Sequence, residues 1–487
     1  MAFEFLEMGL DAIEWEVLAQ QYDSQQQKVR ESQGNYHYQE KGVPCFPASL
    51  ALREYQRQAV ANWFRHRGRG MLKMATGSGK TITALAIATE LYEKIGLQVL
   101  LVVCPYRHLV TQWARECQHF NLQPLLAFEN VQQWQPELSS QLYQVRQGNQ
   151  QFLTVITTNV TFISEGFQSQ LGFFPEKTLI VGDEAHHLGS PRLVESLPKT
   201  IGLRLGLSAT PERYFDETGT EAVFNYFGEV LKPEFTLADA IAQGALVPYY
   251  YYPVFVPLTE SEALAYAKLT KRIGWALADD PNLKSNETVT NLLMQRSRLV
   301  GTAENKLPTL AQLMSSRLNT SHTLFYCGDG SLDGISRQVS AVTQMLGKEL
   351  GFRVHSYTAE TPLTERETLR QQFEKGDLQG LVAIHCLDEG VDIPAIRHAI
   401  ILASTGNPRQ FIQRRGRVLR PHAGKTEATI FDMIVIPPLL DRETWEVERN
   451  LLRKELKRFL EFAQLAKNAP EASEKLLSLQ QQYQLEA

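Results

Sequence analysis

Two runs of short apolar segments, separated by a helical stretch, predict an α/β chain with two parallel sheets flanked by helices. The first run is MLKMAT (71–76), QVLLVVCP (98–105), FLTVITT (152–158), TLIVGDE (178–184) and RLGLSAT (204–210). These segments are apolar enough to be buried on both faces, as strands of a covered parallel sheet are. Helical sequence lies between them. The rhythm breaks at GALVPYYYYPVFVPLT (244–259), an aromatic stretch punctuated by proline, and a mostly helical segment follows. It restarts with TLFYCG (323–328), RVHSYTA (353–359), GLVAIHC (380–386), HAIILAS (398–404) and ATIFDMIVI (428–436).

Five regions are expected from this pattern. Residues 1–49 form an accessory arm, rich in Gln and acids, with an amphipathic stretch around Leu6–Leu18. Residues 50–243 form the first α/β domain, and 244–321 an aromatic and helical connector. Residues 322–440 form the second α/β domain. The tail, 441–487, is helical, with Trp445, Leu452, Leu456, Phe459 and Ala463 on one face. That face is expected to pack on the protein itself, a partner surface being the alternative.

A chain of 487 residues is too long for one core. Its 43% hydrophobic and 21% charged residues are those of an ordinary soluble protein. No apolar run reaches the roughly 18 residues that a membrane helix needs, and the acidic start, MAFEFLEMGLDAIEWE, lacks the basic region of a secretory signal. The five cysteines are scattered without a CxxC pair, which fits a reduced, cytoplasmic setting and neither a zinc knuckle nor a disulfide framework. A net charge of -5 gives no overall nucleic-acid footprint, although local arginines, amides and helix N-termini can still hold phosphates.

The segment TLIVGDEAHHLGS (178–190) invites a zinc reading. That reading fails because His186 and His187 are adjacent, whereas the metalloprotease signature places two histidines four residues apart on a helix. The acids Asp183 and Glu184 instead end a buried strand, where open α/β sheets place ligand-binding groups. About 100 residues earlier, MLKMATGSGKT offers the complement: a strand, a glycine loop, and the helical run ITALAIATELYEK. Glycines let consecutive amides close around phosphate oxygens at a helix N-terminus. Ala75, Thr76, Gly77, Ser78 and Gly79 are the expected cradle, with Lys80 reaching the β/γ-phosphates and the Thr81 hydroxyl ligating Mg²⁺. The strict spacing fails at one position, where Met74 replaces the first glycine. With that loop present, Asp183 is expected to hold Mg²⁺ and Glu184 to polarise the attacking water, so ATP and Mg²⁺ are the expected ligands.

Taken together, these motifs resemble those of a superfamily 2 helicase, closest to the XPB-like and restriction-helicase branch, over about Leu50 to Pro437. LREYQRQAV resembles the adenine-reading element, with Gln56 and Arg53; ATGSGKT is motif I; VVCPYRHLVTQW is similar to motif Ia; DEAH is motif II and LSATP motif III. FYCG resembles motif IV, LDEGVDIP motif V and QFIQRRGRVLR motif VI. The resemblance implies two tandem RecA-like domains hydrolysing ATP between them. It implies Gln413, Arg414, Arg417 and Arg420 as motif VI residues, the last two as arginine fingers, and Asp392 with Gly390 at the ribose. It also implies His186, Ser208 and Thr210 as coupling residues, and Pro105, Tyr106, Arg107, Thr157 and Gly328 as nucleic-acid contacts. Cys386 departs from the pattern, standing where many relatives carry Thr. The DEAD-box forms of motifs Ia and VI are absent, and similarity to DNA-directed relatives favours DNA over RNA. The implied activity is a DNA helicase or translocase; the alternative is an ATP-gated switch subunit of a DNA-defence or restriction complex, with a partner on the C-terminal helix.

Overall fold

The computed structural model describes residues 13–23, 41–213, 216–279, 287–328, 338–358, 361–384, 393–403, 416–436 and 442–485. Gly390, Asp392, Gln413 and Arg414 lie outside these residues, as does Cys386. The chain divides into two units, Met1–Leu237 and Ala238–Ala487.

The first unit is built on a seven-stranded, all-parallel sheet. Its strands are β1 (Arg69–Met74), β2 (Val99–Cys104), β3 (Leu125–Ala127), β4 (Leu153–Thr158), β5 (Thr178–Asp183), β6 (Leu203–Ser208) and β7 (Val230–Phe235). Their order across the sheet is β3-β4-β2-β5-β6-β1-β7. Every residue of β2, β4, β5 and β6 is buried, as the unbroken apolar runs require. The core gathers Leu101, Val103, Val155, Phe162, Phe167, Ile180 and Phe227 against the sheet. Of the N-terminal arm, the helix Trp15–Asp23 rests on the helix Glu54–Arg65, with Trp15 edge-on to Trp63 at 6.5 Å between ring centroids.

The second unit has a six-stranded parallel sheet of β8 (Tyr249–Pro257), β9 (Thr323–Cys327), β10 (Val354–Tyr357), β11 (Gly380–Ile384), β12 (His398–Ile401) and β13 (Ala428–Ile436). The order is β10-β11-β9-β12-β13-β8. The aromatic segment read from sequence as part of a connector therefore supplies a sheet strand. Its prolines, Pro253 and Pro257, are tolerated because β8 lies at an edge, where an N–H is dispensable. Two short strands, β3 and β7, also escaped the sequence reading: β3 has three residues, and β7 (VLKPEF) is a partly exposed edge carrying Pro233. The helices Glu260–Asp279, Glu287–Gly301 and Lys306–Ser315 complete the segment between β8 and β9.

The tail forms the helices Arg442–Gln464 and Ala469–Gln482. Leu452, Leu456, Phe459 and Ala463 are buried within the protein. Between these helices the tail closes the open edge of β8. Asn468 accepts from Tyr251 N (2.9 Å) and donates to Tyr251 O (3.0 Å), and Lys467 N donates to Tyr249 O (2.8 Å). An unpaired edge is a template for association, and a side-chain amide is a compact way to satisfy it.

One buried ionic cluster joins the tail to the preceding helices. Glu448, fully buried, accepts from Tyr266 Oη (2.5 Å) and Arg296 Nη2 (3.2 Å). Breaking such a pair from one side strands a charge away from water, at about 3–5 kcal/mol. Glu448→Gln is therefore expected to lower the unfolding midpoint in urea, and Arg296→Met likewise. The double variant Arg296→Met/Glu448→Gln should lose less than the sum of the two; simple additivity would show that the pair is not coupled.

Candidate functional site

Strands β1, β6 and β5 are neighbours and run parallel, so their C-terminal ends finish at one edge. Lys73 of β1 is level with Ser208 of β6, and Leu207 of β6 with Asp183 of β5. At about 4.8 Å per strand step, the ends of β1 and β5 lie roughly 10 Å apart. The glycine loop, the acid pair and Ser208 thus arrive together from three distant parts of the sequence.

The loop turns back into the helix Lys80–Ile95 through Gly77 (φ 82°) and Gly79 (φ 85°). Ser78, buried, donates through its hydroxyl to Ala75 O (2.6 Å). The Lys80 ammonium donates to Met74 O (3.1 Å), folding back over the loop. The loop is braced from the helix Glu54–Arg65. Gln56 accepts from Arg53 N (2.9 Å) and its amide donates to Gly79 O (3.3 Å), while Tyr55 Oη donates to Ser78 O (2.5 Å). Tyr55 is itself stacked on Phe235 of β7, with centroids 3.6 Å apart. Gln56 and Arg53 thus sit beside the loop; Tyr55 and Phe235, which brace it, carried no signal beyond aromatic character in the sequence. Thr81 lies in the first turn of the helix, half-buried.

At the end of β5, Asp183 accepts from Trp113 Nε1 (2.8 Å) and from Glu184 N (3.0 Å). Burial raises the Asp183 carboxyl above the usual range, against the lowering effects of the Trp113 hydrogen bond, Lys80 and the Glu184 amide. Trp113 closes the segment VVCPYRHLVTQW, and its bond to Asp183 became visible through packing alone. Glu184 takes a left-handed conformation (φ 45°, ψ 53°) that ends β5 and starts the short turn Ala185–Gly189. A non-glycine residue there is strained by about 1–2 kcal/mol, and its surroundings must impose it. His187 N donates to Glu184 O (2.9 Å). His186 Nδ1 stands 3.5 Å from Glu184 Oε2 and 3.2 Å from Ser208 Oγ. Ser208 Oγ in turn accepts from Thr210 N (3.1 Å).

The residues expected to couple, His186, Ser208 and Thr210, therefore form one hydrogen-bonded chain, with the Glu184 carboxylate beside its His186 end. Arg213 extends it by donating to His186 O and, through Nε, to Asp216 Oδ2 (2.6 Å).

Among the residues expected to touch nucleic acid, Pro105, Tyr106 and Arg107 follow β2. Arg107 is 72% exposed, with Nη1 3.0 Å from Glu129 Oε1, and Tyr106 lies near His108 and His187 at 5.5 and 5.7 Å between centroids. Thr157, the next to last residue of β4, is fully buried, and its hydroxyl donates to Ala127 O (2.8 Å).

In the second unit, Gly328 ends β9 and its N–H donates to Gln338 Oε1 (2.6 Å), while Gln338 Nε2 donates to Gly301 O (3.0 Å). Lys306, fully enclosed, donates to Gly301 O (3.2 Å) and to Leu402 O, and burial brings its ammonium down to about 7. Arg417 and Arg420 are half-buried at a short turn after residue 415, with Arg420 N donating to Arg417 O (3.4 Å).

Residues 49–213 match the family model described as "Type III restriction enzyme, res subunit", and residues 305–422 match "Helicase conserved C-terminal domain". The chain is 26% identical over 385 residues to "DNA 3'-5' translocase XPB2" of Sulfurisphaera tokodaii, covering 77% of this chain and 80% of that protein. It is 27% identical over 400 residues to "DNA 3'-5' helicase XPB" of Mycobacterium tuberculosis, covering 80% of this chain and 62% of that one. It spans 54% of a third relative, "Putative DNA 3'-5' helicase Rad25" of Halobacterium salinarum. Among solved structures, "ATP-dependent Type ISP restriction-modification enzyme LlaBIII bound to DNA" superposes with a TM-score of 0.57 at 19% identity, over 90% of this chain and 33% of that one. That likeness shows a shared fold.

A side chain at Gly79 would have to displace the Gln56 amide. A Cβ there would stand 2.7 Å from Gln56 Nε2, at a φ that L residues disfavour. Gly79→Ala is expected to cost about 1–2 kcal/mol of stability in thermal unfolding. An unchanged unfolding midpoint would mean that Gln56 does not hold the loop.

Proposed function

Because the chain belongs to the superfamily 2 helicases of the XPB and restriction-enzyme type, an ATP-hydrolysing class of enzyme, we propose that it is a nucleic-acid-stimulated ATPase that translocates along or unwinds DNA. The observation that carries this reading is the single sheet edge of the first unit, where a glycine loop opening a helix, a buried acid, and Glu184 beside a hydrogen-bonded His186–Ser208 pair meet. The amides of residues 75–79 and the helix N-terminus suit a polyphosphate. Lys80, which donates to carbonyls of its own loop, is the proposed partner of the β/γ-phosphates. Gln56 and Arg53 are placed in our reading at the adenine, and Gly390 with Asp392 at the ribose.

The donor set fits a hard divalent cation such as Mg²⁺: one hydroxyl, Thr81, and one carboxylate, Asp183, whose burial leaves its charge to be balanced. Among the described residues no group of three or more His, Cys, Asp or Glu forms a closed metal cage, which suits an ion that keeps waters and phosphate oxygens as ligands. Bound there, the ion would offset charge on the phosphates. Glu184 then polarises the water that attacks the γ-phosphorus, and the products are ADP and phosphate. His186 holds that carboxylate from behind and passes its position to Ser208 and Thr210. Arg417 and Arg420, together with Gln413 and Arg414 of the same motif, are proposed as the groups that meet charge developing on the γ-phosphoryl, an effect worth about 10³–10⁵ in rate in related NTPases.

DNA is favoured over RNA, since the similar proteins named above are a DNA translocase and a DNA helicase. Pro105, Tyr106, Arg107, Thr157 and Gly328 are the proposed contacts, directed at phosphates and therefore weakly selective for sequence. No helix among the described residues is long and apolar enough to cross a membrane, and a cytoplasmic setting is part of this proposal. The alternative of a partner-docking tail is weakened by the burial of its apolar face within the chain.

ATP turnover measured at fixed salt against single-stranded, duplex and forked DNA and against RNA is expected to rise with DNA and to fall steeply as salt increases. Indifference to every nucleic acid would sink the motor reading. Glu184→Gln is expected to bind ATP nearly as the parent does while turnover drops by about 10²–10⁴-fold. Near-normal hydrolysis by this variant would remove Glu184 from its role.

A further inference from the structure

Lys425 lies in the second unit, outside every motif named above, and is buried. It is reached by the turn His422–Lys425, in which Lys425 N donates to His422 O (3.0 Å) and Gly424 adopts φ 70°. The turn carries the lysine back beneath the residues that precede it. Its ammonium donates to Val418 O (2.7 Å), Arg420 O (2.8 Å) and Pro394 O (3.1 Å). An ammonium has three N–H donors, and here each meets a main-chain carbonyl.

A buried lysine is rare unless its charge is compensated. Carbonyls at the end of a helical turn have no partner within the helix and present negative potential. The turn that holds Arg417 ends there, so Lys425 supplies both hydrogen bonds and opposite charge. The third carbonyl belongs to Pro394, just past the segment that contains Gly390 and Asp392. One ammonium thus ties the exit of that segment to the backbone that carries Arg417 and Arg420.

We propose that Lys425 is a positioning residue for the arginine pair. It fixes the main chain at 418–420 so that the Arg420 guanidinium is already placed when charge develops on the phosphoryl group. It touches neither nucleotide nor nucleic acid, and it acts through Arg420. The proposal rests on the reading of Arg420 given above. A positioning group affects chiefly the transition state, so its loss should appear in kcat and leave ground-state binding nearly unchanged.

The test compares the parent full-length chain, Lys425→Met, Arg420→Ala and the double variant in DNA-stimulated ATP turnover. Binding of a non-hydrolysable ATP analogue and capture of ADP with aluminium fluoride, a mimic of the transition state, are measured alongside. Lys425→Met is expected to lower kcat by about 10- to 100-fold, as misplacement by about an ångström does. KM and analogue affinity should stay within about threefold, and aluminium fluoride capture should be lost. The double variant should be no slower than Arg420→Ala, because the two residues act as one unit. Lys425→Arg, which keeps the cation, should recover part of the rate.

Turnover by Lys425→Met within threefold of the parent, or losses that multiply in the double variant, would overturn the proposal. So would failure of both Lys425 variants to fold, since the lysine would then be a general structural element. A parent chain that no nucleic acid stimulates would remove the motor reading and this proposal with it. Undiminished turnover by Arg420→Ala would remove the finger assignment, and with it the proposal that Lys425 acts through Arg420, while leaving the motor reading standing.

Discussion

The parallel ladder joining β5, β6 and β1 sets the terms for the first unit. Each strand in that ladder starts at the same side and ends at the same side, so whatever follows a strand is delivered to one edge. Register does the rest: Lys73 beside Ser208, and Leu207 beside Asp183, leave the glycine loop and the acid pair at the same height. An antiparallel neighbour would have sent one of these groups to the opposite end of the sheet. Parallel strands need a long crossover between them, and the helices that make the crossovers cover both faces. The apolar saturation of β2, β4, β5 and β6 is the counterpart of the ligand-binding edge, since both follow from the same connection rule.

That edge is held by buried polar side chains whose hydrogen bonds go largely to the main chain. Gln56 and Tyr55 secure the glycine loop at Gly79 O and Ser78 O. Ser208 secures Thr210, and Trp113 secures the Asp183 carboxylate. The second unit uses the same device, with Gln338 on Gly328, Lys306 on Gly301 and Leu402, and Lys425 on Pro394, Val418 and Arg420. A hydrogen bond of this kind adds only about 1 kcal/mol when made, but leaving a buried carbonyl or amide unsatisfied costs about 1–3 kcal/mol. The asymmetry makes such a side chain hard to replace. It also restricts the loop to the conformation that satisfies it, which is what a site for charge development requires.

The functional motifs were legible in the chain because each is local. GSGKT must be contiguous for its amides to converge on one phosphate, and DEAH must be contiguous for Asp183 and Glu184 to share a strand end. The supports were illegible for the converse reason. Trp113 lies 70 residues from Asp183, and Tyr55 lies 23 from Ser78. Neither pairing leaves a mark in the neighbouring sequence. The prolines of β8 misled for a related reason: whether proline breaks a strand depends on whether that strand is an edge, which is a property of the sheet.

By itself, then, the order of residues determined the α/β class, the two sheets, the phosphate loop, the acid pair and the family to which these belong. Each of those depends on composition and spacing within a few tens of residues, where periodicity and backbone chemistry act. Only the tertiary structure decided that β8 completes the second sheet, that the tail is spent on closing its edge, and that Gln56, Trp113, Ser208 and Lys425 bond to Gly79, Asp183, Thr210 and the backbone at 394, 418 and 420. Those outcomes depend on which groups are removed from water together, and removal from water is settled by the packing of segments that the chain keeps far apart.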